Sequence, residues 1–172
     1  SSDLIGRTRG SLDAALARGA VDVATTDLAG GVAEADLVVV AAGVSTIPAL
    51  LERVDAAARP GTLLTDAGST KRSIVAAWER RRRSRRCRFV GAHPIAGSHR
   101  RGPDAADAGL FTGRVTVVTP APRTPATDTA EATRFWEGLG SGVVALAPRD
   151  YDRVLATTSH VPHLLAAARS EE

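Results

Sequence analysis

The segment Asp36-Leu37-Val38-Val39-Val40-Ala41-Ala42 constrains the fold more than any other in the chain. Its apolar residues are continuous rather than alternating, so a strand built from them must be covered on both faces. Such strands belong to parallel sheets sandwiched between helices, and the rest of the sequence keeps that rhythm. Short β-branched or apolar runs at residues 4–5, 20–24, 62–66, 88–92, 115–118 and 143–146 alternate with alanine-rich stretches. Helices are expected from Ser11 to about Arg18, closed by Gly19, and in a short piece capped by Asp27. Others are expected from Ile47 to Ala58, from Ser69 or Thr70 into an arginine cluster, and through Trp136. A last one starts near Tyr151, interrupted at Pro162. The expected fold class is α/β, with βαβ units and a mostly parallel sheet. Residues 1–148 read as this domain, and 149–172 as the start of a helical one.

Composition narrows the function classes. With 172 residues and 44% hydrophobic content the chain has the makings of one globular domain rather than a disordered one. Cys87 is the single cysteine, which excludes an internal disulfide and a multi-cysteine zinc site. No apolar run approaches the roughly 20 residues that span a bilayer, and no secretory signal is visible, so a cytoplasmic protein without a membrane partner is expected. The net charge is +3, but seven arginines fall between Arg80 and Arg88, and without them it becomes −4. Basicity confined to one stretch, with only 3% aromatic residues, argues for a solvated helix end and against nucleic acid as a partner. The chain also contains no methionine, even at position 1, so it is expected to be a piece of a longer polypeptide.

Chemistry concentrates where strands end, which is where open α/β sheets bind ligands. Thr65-Asp66-Ala67-Gly68-Ser69-Thr70-Lys71 follows one strand, with hydroxyls and a close-approach glycine at a helix start. Gly91-Ala92-His93-Pro94-Ile95-Ala96-Gly97-Ser98 follows another and offers His93 as a base near neutral pH. In Ser159-His160-Val161-Pro162-His163 the two histidines are three apart and share a helix face. No acidic or cysteine partner stands near them, so binding of an anion or carboxylate is more economical than a metal, and no metal is expected. At the front, Gly6-Arg7-Thr8-Arg9 follows a strand end and holds no carboxylate. If this is the second strand of a dinucleotide-binding domain, Arg7, Thr8 and Arg9 favour NADP over NAD.

In this order, with Gly109-Leu110-Phe111, Val118-Thr119-Pro120, Trp136 and Asp150 between them, the motifs resemble the prephenate and arogenate dehydrogenases of tyrosine biosynthesis. The resemblance runs from Leu4 to about Ala168. It implies a Rossmann-like dinucleotide-binding domain without its first strand, followed by the first helix of an all-α dimerisation domain. It implies an oxidoreductase that takes a hydride from prephenate to NADP or NAD, releasing carbon dioxide and 4-hydroxyphenylpyruvate. Carried over residue by residue, it makes His93 the proton acceptor, with Ser69 bonding the same hydroxyl or orienting His93. Ser98, His99, His160 and His163 would bind substrate, and Ala41, Asp66 and Gly68 would join Arg7, Thr8 and Arg9 around the cofactor. A homodimer is implied for the full-length protein.

The departures are specific. His99 stands where members usually carry glutamate, followed by Arg100 and Arg101, and no proline follows Ala41-Ala42-Gly43. The turn Gly-x-Gly-x-x-Gly does not occur, so its strand is missing from between the second and fourth, and the chain alone is expected to be poorly stable and nearly inactive. Two other readings stand beside this one. A different Rossmann-type hydroxy-acid dehydrogenase would want a catalytic lysine on its helical domain, and Lys71 is the only lysine. An inactive nucleotide- or RNA-binding module would show salt-dependent affinity carried by the arginine cluster.

Overall fold

The computed structural model describes residues 1–80, 84–97 and 102–157. Strands β1 (Asp3–Ile5), β2 (Val23–Thr25), β3 (Leu37–Val40), β4 (Leu63–Asp66), β5 (Arg88–Ile95), β6 (Val115–Thr119) and β7 (Gly142–Ala145) alternate with helices. These are α1 (Arg9–Ala17), α2 (Leu28–Val32), α3 (Ile47–Ala57), α4 (Arg72–Glu79), α5 (Ala126–Gly138) and α6 (Pro148–Leu155). The local signals act as their chemistry requires. Gly19 takes a positive φ of 63° just past α1. Asp27 accepts the Ala29 amide at 3.0 Å to cap α2, and Pro48 sits in the first turn of α3.

Two boundaries differ from expectation. Helix α1 opens at Arg9, two residues before Ser11, with Thr8 at its N-cap position. Helix α4 opens at Arg72 rather than at Ser69 or Thr70, with the Lys71 and Arg72 amides accepted by the distant Asp152 carboxylate.

Strands β3, β4 and β5 run parallel, β6 is antiparallel to β5, and β7 is parallel to β6. The sheet is therefore mostly parallel, as a Rossmann-like domain requires. Strands β1 and β2 form a separate parallel pair, with no ladder to the other five. Ile5 of β1 nevertheless packs against the same apolar cluster as Val38 and Val40 of β3. That cluster covers one face, with Ile47, Leu51 and Val54 of α3 and Ile74, Val75 and Trp78 of α4. The other face is closed by Ala132 and Trp136 of α5 over Leu63, Val90 and Val118. Phe111 of the Gly-Leu-Phe landmark stands edge-on to Trp136, ring centroids 5.6 Å apart.

Strand β5 is longer than expected and changes partner along its length. Its first residues pair with β4, whereas Gly91 to Ile95 pair with β6. The changeover is tight: a Cβ on Gly91 would lie 2.7 Å from the Thr119 hydroxyl, so only glycine fits. His93 lies two residues beyond it.

Candidate active site

Asp66 ends β4 with its carboxylate turned inward. One oxygen accepts the Ala92 amide at 3.1 Å, and the other accepts the Gly68 amide at 2.9 Å and the Lys71 ammonium. Lys71 also donates to the Ala92 carbonyl at 2.7 Å, and both charged side chains have 0% exposure. Burial pushes the Asp66 carboxyl up and the Lys71 ammonium down, each opposed by attraction to the other. The consequence is mechanical. Ala92 is gripped by both its amide and its carbonyl just after the β4–β5 ladder stops, which fixes the backbone that carries His93.

The His93 ring is fixed separately. Nδ1 is hydrogen-bonded to the Tyr151 hydroxyl, and the two rings meet edge to face at 73° with centroids 5.9 Å apart. Burial first, and then the Lys71 charge, push the imidazole down to about 4. Burial and the adjacent Asp152 push the Tyr151 phenol up to about 12. At neutral pH both groups are therefore uncharged. His93 is available to accept a proton, but it titrates well below the near-neutral value expected of it, because it is half-buried beside an ammonium.

Helix α6 supplies a second contact. Asp152 accepts the Lys71 amide at 2.7 Å and the Arg72 amide at 3.0 Å, capping α4 from 80 residues away in sequence. Ser69 stays exposed on the loop before α4. The described hydrogen bond to the His93 ring comes from Tyr151.

The remaining candidates surround this centre or lie outside the described residues. Arg7 and Thr8 are exposed at the turn between β1 and α1, Arg9 is exposed at the first position of α1, and Thr8 donates to the Ser11 hydroxyl at 3.1 Å. Ala41 is exposed just past β3, and Gly68 is buried beside Ile47 and Ile74. Ser98, His99, His160 and His163 lie outside the described residues. Among the described residues no cluster of three or more histidine, cysteine, aspartate or glutamate side chains forms a metal site. Nor is any described helix long and apolar enough to cross a membrane.

The arginine cluster, where described, is not simply solvated. Arg85 lies 4.4 Å over the Trp78 ring and 3.6 Å from both Glu52 and Asp55. Arg88 holds Glu131 at 2.5 Å and Asp128 at 3.1 Å. These two guanidinium groups are occupied inside the molecule. A shallow groove lined by Asp36, Arg59, Thr62, Arg88 and Glu131 sits at the amino ends of β3, β4 and β5, away from His93.

A sequence profile described as "Prephenate dehydrogenase, nucleotide-binding domain" matches residues 3–145. The chain belongs to this family. It is 34% identical over 151 residues to a prephenate dehydrogenase of Lactococcus lactis, covering 87% of this chain and 40% of that protein. Among solved structures it is similar to prephenate dehydrogenase from Aquifex aeolicus in complex with hydroxyphenyl propionate and NAD+. There the TM-score is 0.88 at 27% identity, over 98% of this chain and 58% of that one. Synechocystis arogenate dehydrogenase gives 0.87 at 27% identity, over 98% of this chain and 59% of that one. The chain thus spans less than half of the curated relative and under two thirds of the solved chains.

A nicotinamide dinucleotide fits the residues present at two of its parts. Arg7 and Arg9 put exposed cations at the carboxyl end of β1, suited to a phosphate. Ala41 and Ala42 expose small apolar side chains at the carboxyl end of β3, beside the loop that holds Ser69. No residue of the chain supplies the glycine-rich pyrophosphate turn.

Three contributors escaped the sequence reading: Tyr151, Asp152 and Lys71 in its buried role. Tyr151 and Asp152 lie far along the chain from the groups they bond, so no local spacing betrays them. Lys71 carried one signal, as a lone lysine in an arginine-rich protein, set where a strand–turn–helix buries its surroundings.

Proposed function

We propose that the full-length gene product oxidises prephenate to 4-hydroxyphenylpyruvate for tyrosine synthesis, and that this chain provides its cofactor side and its proton acceptor. The observation that carries the reading is His93: neutral, half-buried and clamped at Ala92, one loop away from Ser69. Nicotinamide, when bound, supplies the hydride acceptor. His93 takes the proton of the ring hydroxyl as the hydride leaves the same carbon, so the O–H electrons become the new C–O bond. The bond to the ring carboxylate then breaks, its electrons make the ring aromatic, and His93 returns the proton to the phenolate oxygen. Ser69 hydrogen-bonds the hydroxyl and aims it at the imidazole. Ser98, His99, His160 and His163 bind the substrate, with one of the paired histidines on a carboxylate.

Arg7, Thr8 and Arg9 favour NADP, since a turn with two cations and no carboxylate suits a 2′-phosphate better than a free 2′-hydroxyl. Prephenate is proposed as the substrate on the name of the Lactococcus lactis relative; arogenate, its counterpart with an amino group in place of the side-chain keto group, is the alternative. The test is a four-way assay of the full-length gene product, with prephenate or arogenate and NADP+ or NAD+. The highest kcat/KM is expected for prephenate with NADP+. Turnover of neither substrate overturns the proposal, and faster turnover with arogenate or NAD+ overturns the corresponding preference.

A further inference from the structure

An imidazole accepts a proton at Nε2 only in the tautomer whose hydrogen sits on Nδ1. Whatever holds Nδ1 therefore decides whether His93 acts as a proton acceptor or a proton donor. Four groups face the ring or its support: Asp66 from β4, Lys71 from the turn after it, and Tyr151 and Asp152 from α6. Asp66 and Lys71 are closed on each other and on Ala92, so neither hydrogen-bonds the ring. Asp152 is engaged by the first two amides of α4. Tyr151 is the group that touches the ring nitrogen.

We propose that Tyr151 is a positioning residue whose hydroxyl oxygen accepts from Nδ1–H of His93, so that the ring is locked in the tautomer with Nε2 free to take a proton. The charge on Asp152, the next residue of α6, attracts the positive end of the phenol O–H dipole. That turns an oxygen lone pair toward Nδ1 and the hydroxyl hydrogen away from it. Lys71 acts on the protonation of the ring rather than on its tautomer: its positive charge adds to burial in opposing a second proton before substrate arrives. Since Asp152 simultaneously caps α4, the docking of one helix end fixes both the tautomer of His93 and the start of the helix behind Ser69. The contact is specific to a phenol. Phenylalanine would preserve the edge-to-face packing and lose only the oxygen.

The proposal rests on His93 as proton acceptor, and its test separates the two. The full-length gene product, labelled with 15N-histidine, is read by NMR at neutral pH, with His93→Asn assigning the resonances. A protonated Nδ1 and an unprotonated Nε2 are expected in the wild-type chain, and both signals should move toward an exchange average in Tyr151→Phe. In the full-length gene product the same variant should lower kcat about tenfold, the worth of one hydrogen bond, with the cofactor KM unchanged. A wild-type ring carrying its hydrogen on Nε2 overturns the inference without any variant. A Tyr151→Phe protein with wild-type tautomer and kcat also overturns it. Failure of the wild-type enzyme to oxidise prephenate overturns the proposed function instead, and leaves the NMR result to judge Tyr151.

Discussion

Lys71 is buried with 0% side-chain exposure, and almost everything specific about the site follows from where its charge is placed. It closes on Asp66, grips the Ala92 carbonyl and adds to the burial that keeps His93 neutral. Lys71→Met leaves a buried carboxylate without its partner, a change that costs about 3–5 kcal/mol in comparable settings. Chemical denaturation should show that loss, and adding Asp66→Leu should restore part of it. A restored protein that still oxidises substrate at the wild-type rate would show that the clamp on Ala92 is unnecessary. The His93 shift also makes stability depend on pH. The folded ring titrates near 4 and the unfolded one near 6.5, so between those values the unfolded chain binds more protons. Stability from this group is present above pH 6.5 and is lost as the pH falls toward 4. Denaturation midpoints across that window should fall in the wild type and fall less in His93→Asn. At the cofactor end, replacing Arg7 and Arg9 with alanine should raise the KM for NADP+ by roughly tenfold or more and leave that for NAD+ unchanged.

At the scale of elements, the segments that carry Ser69 and His93 were legible because their residue types are local signals of turn, cap and base, although His93 lies within β5 rather than after it. What was not legible is how they are held. Helix α4 should open at Ser69 or Thr70 by its own hydroxyls, yet it opens at Arg72 because Asp152 accepts its first amides from α6. An acidic cap donated by another helix has no sequence spacing to read. Asp152→Ala removes it, and the expected cost is about 1 kcal/mol, within the usual range for a lost cap. The loss should appear as faster amide exchange at Lys71 and Arg72 while β4 and β5 keep their protection. Unchanged exchange at those amides would mean that α4 does not depend on α6. Strand β5 shows the same limit: the apolar run at residues 88–92 marks a strand but not its change of partner at Gly91, where the Thr119 hydroxyl across the sheet crowds out a Cβ.

Over the whole molecule, the continuous apolar run of β3 announced a parallel sheet with helices on both faces, and the structure has one. The same run forms the edge of the five-stranded sheet here, and β1 and β2 pair separately. Edge strands exchange readily, so amides of β1 and β3 should exchange much faster than those of β4 and β5, which have partners on both sides. Equal protection throughout would contradict a divided sheet. In the arginine stretch, charge counted along the chain misses the intramolecular partners: Arg85 meets Trp78 and Asp55, and Arg88 meets Asp128 and Glu131. The central claim is that His93, held neutral in this frame, takes the substrate's proton. Its most direct test is the rate of prephenate oxidation by the full-length gene product with His93→Asn. The account predicts that kcat falls about 10²–10⁴-fold with the cofactor KM unchanged. A variant that keeps the wild-type rate and pH profile would contradict it.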